Sequence, residues 1–512
     1  MSKSPKIILT ADETMMSKYR GGMFIGFSTC MPRGILPDWL YFWVFAPPVP
    51  RKDGRAGYAD FGLRMVEASL LENGFSEKEV AVVHPKDLEK MVGDETEIVA
   101  IGGHDYLGIN PPTSEFVDLV QTGPPYNRVK FLELVRKPIL RDVKVIVGGK
   151  SAWQLADLKI MDKLGIDYVH LGEGELSVPR AFKAILRGED VPRIITGEST
   201  PVEKIPNLHG AVIHGVVEIS RGCGRGCKFC TPGMQMLRHK SIDHILRDIK
   251  VNLKAGDNVP ILHSEDVLRY GTMKIEPNKE KVIELFERVA GLEGVSGIDT
   301  SHVALATVYH NPDLVEKVSE ICISLSEQKI GTQTGIETGS PKLIAKHMRG
   351  KVLPSPPEKW PEIVKQSLGI LEDNNWIPAC TLIFGLPGEE RGDVVKTLDL
   401  LDDIEDSLSL IVPLTFVSMK GSALSTEESF TVKKMTPEHW MVLGKCIEHD
   451  ARVARKLKKD YMKEKNILIR WLFSRFTDYL LNGVERYAKK MKRGEPPRDY
   501  SKIFKNYLVP EF

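Results

Sequence analysis

Cys223, Cys227 and Cys230 fall within one short segment, VEISRGCGRGCKFCTPG, of a 512-residue chain that holds only 7 cysteines. The C-x3-C-x2-C spacing lets one loop set three thiolates around one corner of a four-iron cubane. Four thiolates saturate such a cluster. Three leave one iron open to an outside ligand, as a catalytic zinc keeps an open position. Structural zinc is the rival, because His239 and His244 follow at H-x4-H spacing. A finger of two Cys and two His would leave Cys230 unexplained, and both histidines sit at the start of a predicted helix.

The elements around this segment set its context. Residues 6–12, 79–85, 97–103, 143–149 and 166–172 read as buried parallel strands, with helices at 61–73 and 151–164. The alternation implies a doubly wound α/β domain over 1–205. From 206 to 425 strands are expected at 215–220, 258–264, 296–300, 331–337, 379–385 and 410–418. Helices lie between them at 240–255, 280–292, 313–320, 341–348, 360–373 and 391–404. Repeated βα units of this size predict a partial (β/α)6 barrel, with its chemistry at the carboxyl ends of the strands. The thiol loop then directly follows the first barrel strand. From 426 to 512 the pattern is helical, over 436–464 and 466–493.

Composition narrows the class. Hydrophobic residues are 42% of the chain, enough for full cores, and 70 Lys+Arg stand against 69 Asp+Glu. The net charge of +1 excludes a globally basic nucleic-acid coat. The charge is uneven: residues 451–512 hold 17 bases and 7 acids, 17 − 7 = +10, which leaves +1 − 10 = −9 for the rest. Cys30, Cys322, Cys380 and Cys446 are scattered and form no disulfide framework. The start MSKSPKIILTAD carries no secretory signal, and no apolar run reaches the ~18 residues of a membrane span. A cytoplasmic protein without a membrane span is expected.

On these residues the chain resembles the radical S-adenosylmethionine superfamily, whose cluster motif is C-x3-C-x-aromatic-C, with Phe229 in the aromatic position. The resemblance implies a [4Fe–4S] cluster held by Cys223, Cys227 and Cys230. The open iron would be chelated by S-adenosylmethionine, which is cleaved to a 5′-deoxyadenosyl radical. It also implies ligand contacts from Ser264, Glu265 and Asp266 in ILHSEDVLRYG, from Glu337, Thr338 and Ser340 in QTGIETGSPK, and from Gly385 and Pro387 in LIFGLPGEE. In the last motif the position of a common family acid is Gly388, and the acids are Glu389 and Glu390.

The amino-terminal part resembles a cobalamin-binding domain, through Gly148 and Gly149 after one strand and Gly172, Glu173 and Gly174 after the next. The D-x-H-x-x-G sequence of the wider cobalamin fold is absent, and the first loop reads ADETMMSKYRGG. His104, Asp105 and Tyr106 then fall where the lower face of the corrin would lie.

This order of parts resembles the cobalamin-dependent branch of the family, and implies a C-methyltransferase that uses methylcobalamin on an unactivated carbon. The layout is most similar to archaeal glutamine C-methyltransferases that modify methyl-coenzyme M reductase. That implies a post-translational modification of a protein substrate docked near the basic carboxyl end, an electron donor, and no nucleic-acid partner. Two alternatives stand beside it: an archaeal membrane-lipid (tetraether) modifying enzyme, and a non-catalytic cobalamin or iron–sulfur sensor or carrier.

Overall fold

The computed structural model describes residues 4–461 and 467–498. The expected strand runs fold as strands: β1 (Ile7–Ala11), β2 (Val80–Val82), β3 (Ile98–Gly102), β4 (Lys144–Gly148) and β5 (Tyr168–Leu171). A sixth, β6 (Ile194–Thr196), had no clear signal, since three half-exposed residues give no apolar run. All six pair in parallel in the order β2-β1-β3-β4-β5-β6. The wholly buried β1 sequence IILTA shows why the runs are continuous: helices cover both faces of a parallel sheet. Helix Phe61–Glu72 begins at Asp60, whose side chain accepts from Gly62 N. Helix Leu158–Leu164 begins at Asp157, which accepts from Lys159 N and Ile160 N, and ends on left-handed Gly165.

Between β1 and helix Phe61–Glu72 the chain makes a long irregular excursion. The segment ILPDWLYFWVFAPP forms a helix of 7 residues, Asp38–Val44, bracketed by prolines. Tyr41 stacks on Tyr126 with ring centroids 3.9 Å apart, while Trp39 and Trp43 are exposed.

The later strands are β7 (Val216–Glu218), β8 (Ile261–His263), β9 (Asp299–Thr300), β10 (Ile330–Glu337), β11 (Trp376–Phe384) and β12 (Leu410–Thr415). They run in chain order as β7-β8-β9 and β10-β11-β12, and a parallel bridge from His302 to Gln333 joins the two halves. This is the expected open barrel of α/β type, with helices at Lys279–Ala290, Pro312–Leu325, Trp360–Asp373 and Arg391–Asp403. Among the described residues no helix is long and apolar enough to cross a membrane.

The chain divides into two compact units, one of residues 1–217 with 240–261, the other of 218–239 with 262–504. Helix Ile242–Lys254 belongs to the first unit because its polar side chains satisfy that unit's backbone. Asp248 accepts from Leu208 N at 2.8 Å and Asn252 accepts from Val212 N at 2.9 Å.

Helices Pro437–Tyr461 and Ile467–Met491, expected as a separate domain from 426, belong to the second unit. Asp450 accepts from Ile411 N of β12 at 2.8 Å, and His449 Nε2 lies 2.8 Å from Ser409 O. The basic excess is partly spent internally, in the pairs Arg455–Glu485, Lys458–Asp478 and Lys492–Glu448. Residues 462–466 and 499–512, on which part of the basic-tail expectation falls, lie outside the described residues.

Candidate active site

The thiol loop hangs from the carboxyl side of β7. A short antiparallel ladder closes it at the base, Ser220 opposite His239 and Arg221 opposite Arg238. Gly222, Gly224 and Gly226 all take positive φ, and a side chain on Gly222 would strike the Met236 carbonyl. Inside the loop Cys223 N donates to Pro232 O at 3.0 Å and Gly226 N to Gly233 O at 2.8 Å. Gly233 N points at Cys230 Sγ, 3.4 Å away, the kind of amide–sulfur contact that tunes a cluster. Phe229 is half-buried beside it.

Burial pushes the Cys227 thiol up and the Cys230 thiol to about 12. Only a bound metal centre would hold these sulfurs as thiolates at neutral pH. Among the described residues no three His, Cys, Asp or Glu side chains converge at the spacing one ion needs. His239 and His244 are engaged elsewhere: His239 Nε2 lies 2.9 Å from Thr272 O and His244 Nε2 lies 3.4 Å from Asp248. The finger alternative is not assembled. The donor set fits a cluster carried on one loop.

Arg225, inside the motif, was not anticipated. Its side chain and that of Asp266 are only 4% and 3% exposed, with 2.8 Å between Nη2 and Oδ2. Arg225 also donates to Thr307 at 2.9 Å and to Gly350 O at 3.1 Å, so it stakes the loop to the barrel. Asp266 is thereby committed to Arg225, Thr307 at 2.7 Å and Ala304 N at 3.3 Å, instead of standing free for a ligand. Ser264 is likewise internal, with its hydroxyl 2.5 Å from that of Ser220. Glu265 is half-buried, and its charge acts on the Cys230 thiol.

At the end of β10 a register shift between Gly335 and Glu337 puts Glu337 at φ 63, a left-handed position rare for a residue with a side chain. Its carboxylate meets Lys351 at 2.8 Å and Thr381 at 3.0 Å, and both charges of the Glu337–Lys351 pair act on Cys227. Thr338 and Ser340 have structural tasks. Thr338 Oγ1 accepts from Ser340 N at 3.1 Å, and Ser340 caps helix Pro341–His347 while donating to Asp393 at 2.5 Å.

The loop after β11 is held shut on itself. Left-handed Gly385 lies under the Phe430 ring and donates to Glu389 at 2.6 Å, and Pro387 O faces His347 Nε2 at 2.8 Å. A cavity of about 320 Å³ opens beside it, lined by Gly385, Pro387, Glu389, Phe430 and His439 among others.

In the other unit the sheet order reverses direction between β1 and β3, which opens a crevice at their carboxyl ends. Asp12 lies there, buried, and burial raises its carboxyl to about 6. His104 stands in the same region with Nε2 3.1 Å from Asp60 Oδ1. Asp105 is absorbed by Ile109 N, Asn110 N and Gln154, and the Tyr106 hydroxyl by the carbonyls of Ile101 and Gly148. Gly149 and Gly172 take positive φ where neighbouring loops touch: a side chain on Gly149 would strike Gly103 O, and one on Gly172 would strike Gly197 O. Glu173 accepts from Thr200 N at 2.9 Å, and Gly174 packs on Val178. Gly149 and Gly172 therefore let neighbouring turns meet backbone on backbone, between β3 and β4 and between β5 and β6.

Residues 217–401 match the Radical SAM superfamily model. The chain is 28% identical over 326 residues to the tRNA-2-methylthio-N(6)-dimethylallyladenosine synthase of Magnetococcus marinus, covering 60% of this chain and 70% of that one. It is 27% identical over 210 residues to the ribosomal protein uS12 methylthiotransferase RimO of Thermotoga petrophila, spanning less than half (44%) of that relative. The fold resembles the radical S-adenosylmethionine methyltransferase TsrM from Kitasatospora setae, solved with cobalamin and a [4Fe–4S] cluster bound. The TM-score is 0.56 at 13% identity, covering 83% of this chain and 77% of that one. A second structure of that enzyme, with tryptophan substrate and a SAM analog, gives a TM-score of 0.50 at 12% identity, over 80% and 73% of the two chains. Residues 217–401 are thus similar to the radical SAM superfamily over a minority of the chain, and the likeness is to enzymes.

Proposed function

We propose that the protein is a cobalamin-dependent radical S-adenosylmethionine methyltransferase that acts on an unactivated carbon. The observation that carries the reading is the presence in one chain of a three-thiol loop on the first barrel strand and a β2-β1-β3-β4-β5-β6 sheet whose later strands end in turns that meet backbone on backbone. When bound, the cluster and S-adenosylmethionine supply hydrogen abstraction, and cobalamin supplies the methyl group. Cys223, Cys227 and Cys230 hold the cluster, and Arg225 fixes their loop. The charges of Glu265 and Glu337 act on the Cys230 and Cys227 thiols, and these carboxylates serve the charged end of S-adenosylmethionine. A flat ring is supported by the side-chain-free turn of Gly103 and Gly149 after β3 and β4 and by Asn110 Oδ1, a buried acceptor without a protein partner.

Methyl transfer is favoured over methylthio transfer because the remaining cysteines, Cys30, Cys322, Cys380 and Cys446, are buried on separate segments. A second thiol cluster to donate sulfur has no residues to build it. For the substrate we retain a glutamine side chain of a protein such as methyl-coenzyme M reductase; a tetraether lipid is the second reading. Anaerobic turnover with methyl-labelled S-adenosylmethionine tests both. Label on a protein, with deoxyadenosine formed, supports the first; label or ring closure in lipid supports the second. Turnover by a Cys227→Ala variant would refute the proposal.

A further inference from the structure

We infer that Lys351, a buried cation held beside the thiol loop, sets the reduction potential of the cluster that the loop carries. The inference rests on the cluster reading above and adds to it which residue favours the electron the cluster takes up. Lys351 lies on a short helical turn, Arg349–Val352, that follows helix Pro341–His347. That stretch is fastened to the thiol loop on both sides of Cys227. Lys228 N donates to His347 O at 2.9 Å, and Arg225 donates to Gly350 O at 3.1 Å. Gly350 abuts the Arg225 carbonyl so closely that a side chain there would strike it. Lys351 is the next residue, so backbone contacts fix where its side chain starts.

The ammonium and its partner are built into the barrel end. The Lys351 and Glu337 side chains are 17% and 7% exposed, with 2.8 Å between Nζ and Oε1. Thr381 of β11 donates to the other carboxylate oxygen at 3.0 Å. The pair fills space that Gly335 leaves open, since a side chain there would strike both Glu337 Oε1 and Lys351 Nζ. A buried ion pair adds little net stability, so its charges point to another task. Burial has the largest effect on the Cys227 thiol, and among the charges that act on it Lys351 comes first, opposed by Glu337. A reduced cluster carries one more negative charge than an oxidised one. A fixed cation beside one of its sulfurs stabilises that state, and a fixed anion opposes it.

The test is a potentiometric titration of the anaerobically reconstituted full chain with dithionite, without S-adenosylmethionine, read by electron paramagnetic resonance. One electron from dithionite carries the cluster from its 2+ to its 1+ state. Lys351→Met should lower the equilibrium constant for reduction roughly tenfold, about 59 mV for one electron. Glu337→Gln should raise it, and Lys351→Arg should stay near the unaltered protein. The opposite signs are the signature, because loss of a merely structural ion pair would disturb the loop alike from either end. Shifts of the same sign, or no shift in either variant, would overturn the inference and leave the cluster reading standing. If Lys351→Met holds no iron, Glu337→Gln decides alone: a raised potential supports the inference, and an unmoved or lowered one overturns it. Absence of iron and sulfide from the unaltered chain after reconstitution would overturn both.

Discussion

Asp266→Asn separates an anchor from a ligand. The wild-type carboxylate takes a charge-assisted bond from Arg225 at 2.8 Å, one from Thr307 at 2.7 Å and one from Ala304 N at 3.3 Å. Asparagine preserves the volume and one acceptor but strips the charge from a site where Arg225 stays buried. Breaking a buried pair from one side costs about 3–5 kcal/mol, and the retained amide places this variant near the lower end. About 3 kcal/mol is roughly a hundredfold in the folding equilibrium. The same loss should reach the thiol loop, because Arg225 is its stake. Urea unfolding of the apo protein, with iron and sulfide per chain after anaerobic reconstitution, reads both effects. The expected result is a lowered midpoint and lowered iron. The double variant Arg225→Met, Asp266→Leu should regain most of the stability, since an apolar pair of similar size carries no desolvation cost. An Asp266→Asn protein with unchanged midpoint and full iron, but weakened binding of S-adenosylmethionine, would refute the anchor and return Asp266 to the ligand's side.

Three further outcomes are expected. Cys227→Ala should lose the cluster, with iron falling to background and the visible absorption of the reconstituted protein lost. Ser340→Ala removes a helix cap and one of the partners of Asp393, which keeps Glu390 N and Lys342, costing about 1–2 kcal/mol by denaturant unfolding; an unchanged midpoint would contradict the cap. Burial raises Asp450 to about 7, so the folded state holds its proton longer than the unfolded chain, which releases it near pH ~4. Stability present below that pH is lost as pH rises to about 7, by at most about 4 kcal/mol, and the Asp450→Asn variant should lack this slope. Superimposable pH profiles of the two proteins would contradict it.

Strands such as IILTA and helices such as Trp360–Asp373 were legible because burial on two faces, or on one stripe, writes a periodic pattern. The thiol loop was legible from spacing alone. What escaped depends on pairs distant along the chain. Asp60 reads as a helix cap in ADFGLRM, but nothing local assigns it to His104. Arg225 reads as a solvated base between glycines, whereas its partner lies beyond the next strand. Ser340 and Thr338, expected beside a ligand from the motif, also shape the turn, a task that the motif does not spell out. The helical end was legible as helices, whereas the contacts of Asp450 and His449 with the last barrel segment carry no sequence signature.

The interleaving of the two units bears on biosynthesis. The first unit needs helix Ile242–Lys254 for Leu208 N and Val212 N, and that helix is made only after the thiol loop. On the ribosome, the cysteines emerge before the helix that the first unit's segment around Leu208 and Val212 requires. A gene fragment ending at 217 would encode a unit with unmet backbone donors at Leu208 and Val212, so dissection or recombination of this chain must follow its threading rather than its linear order.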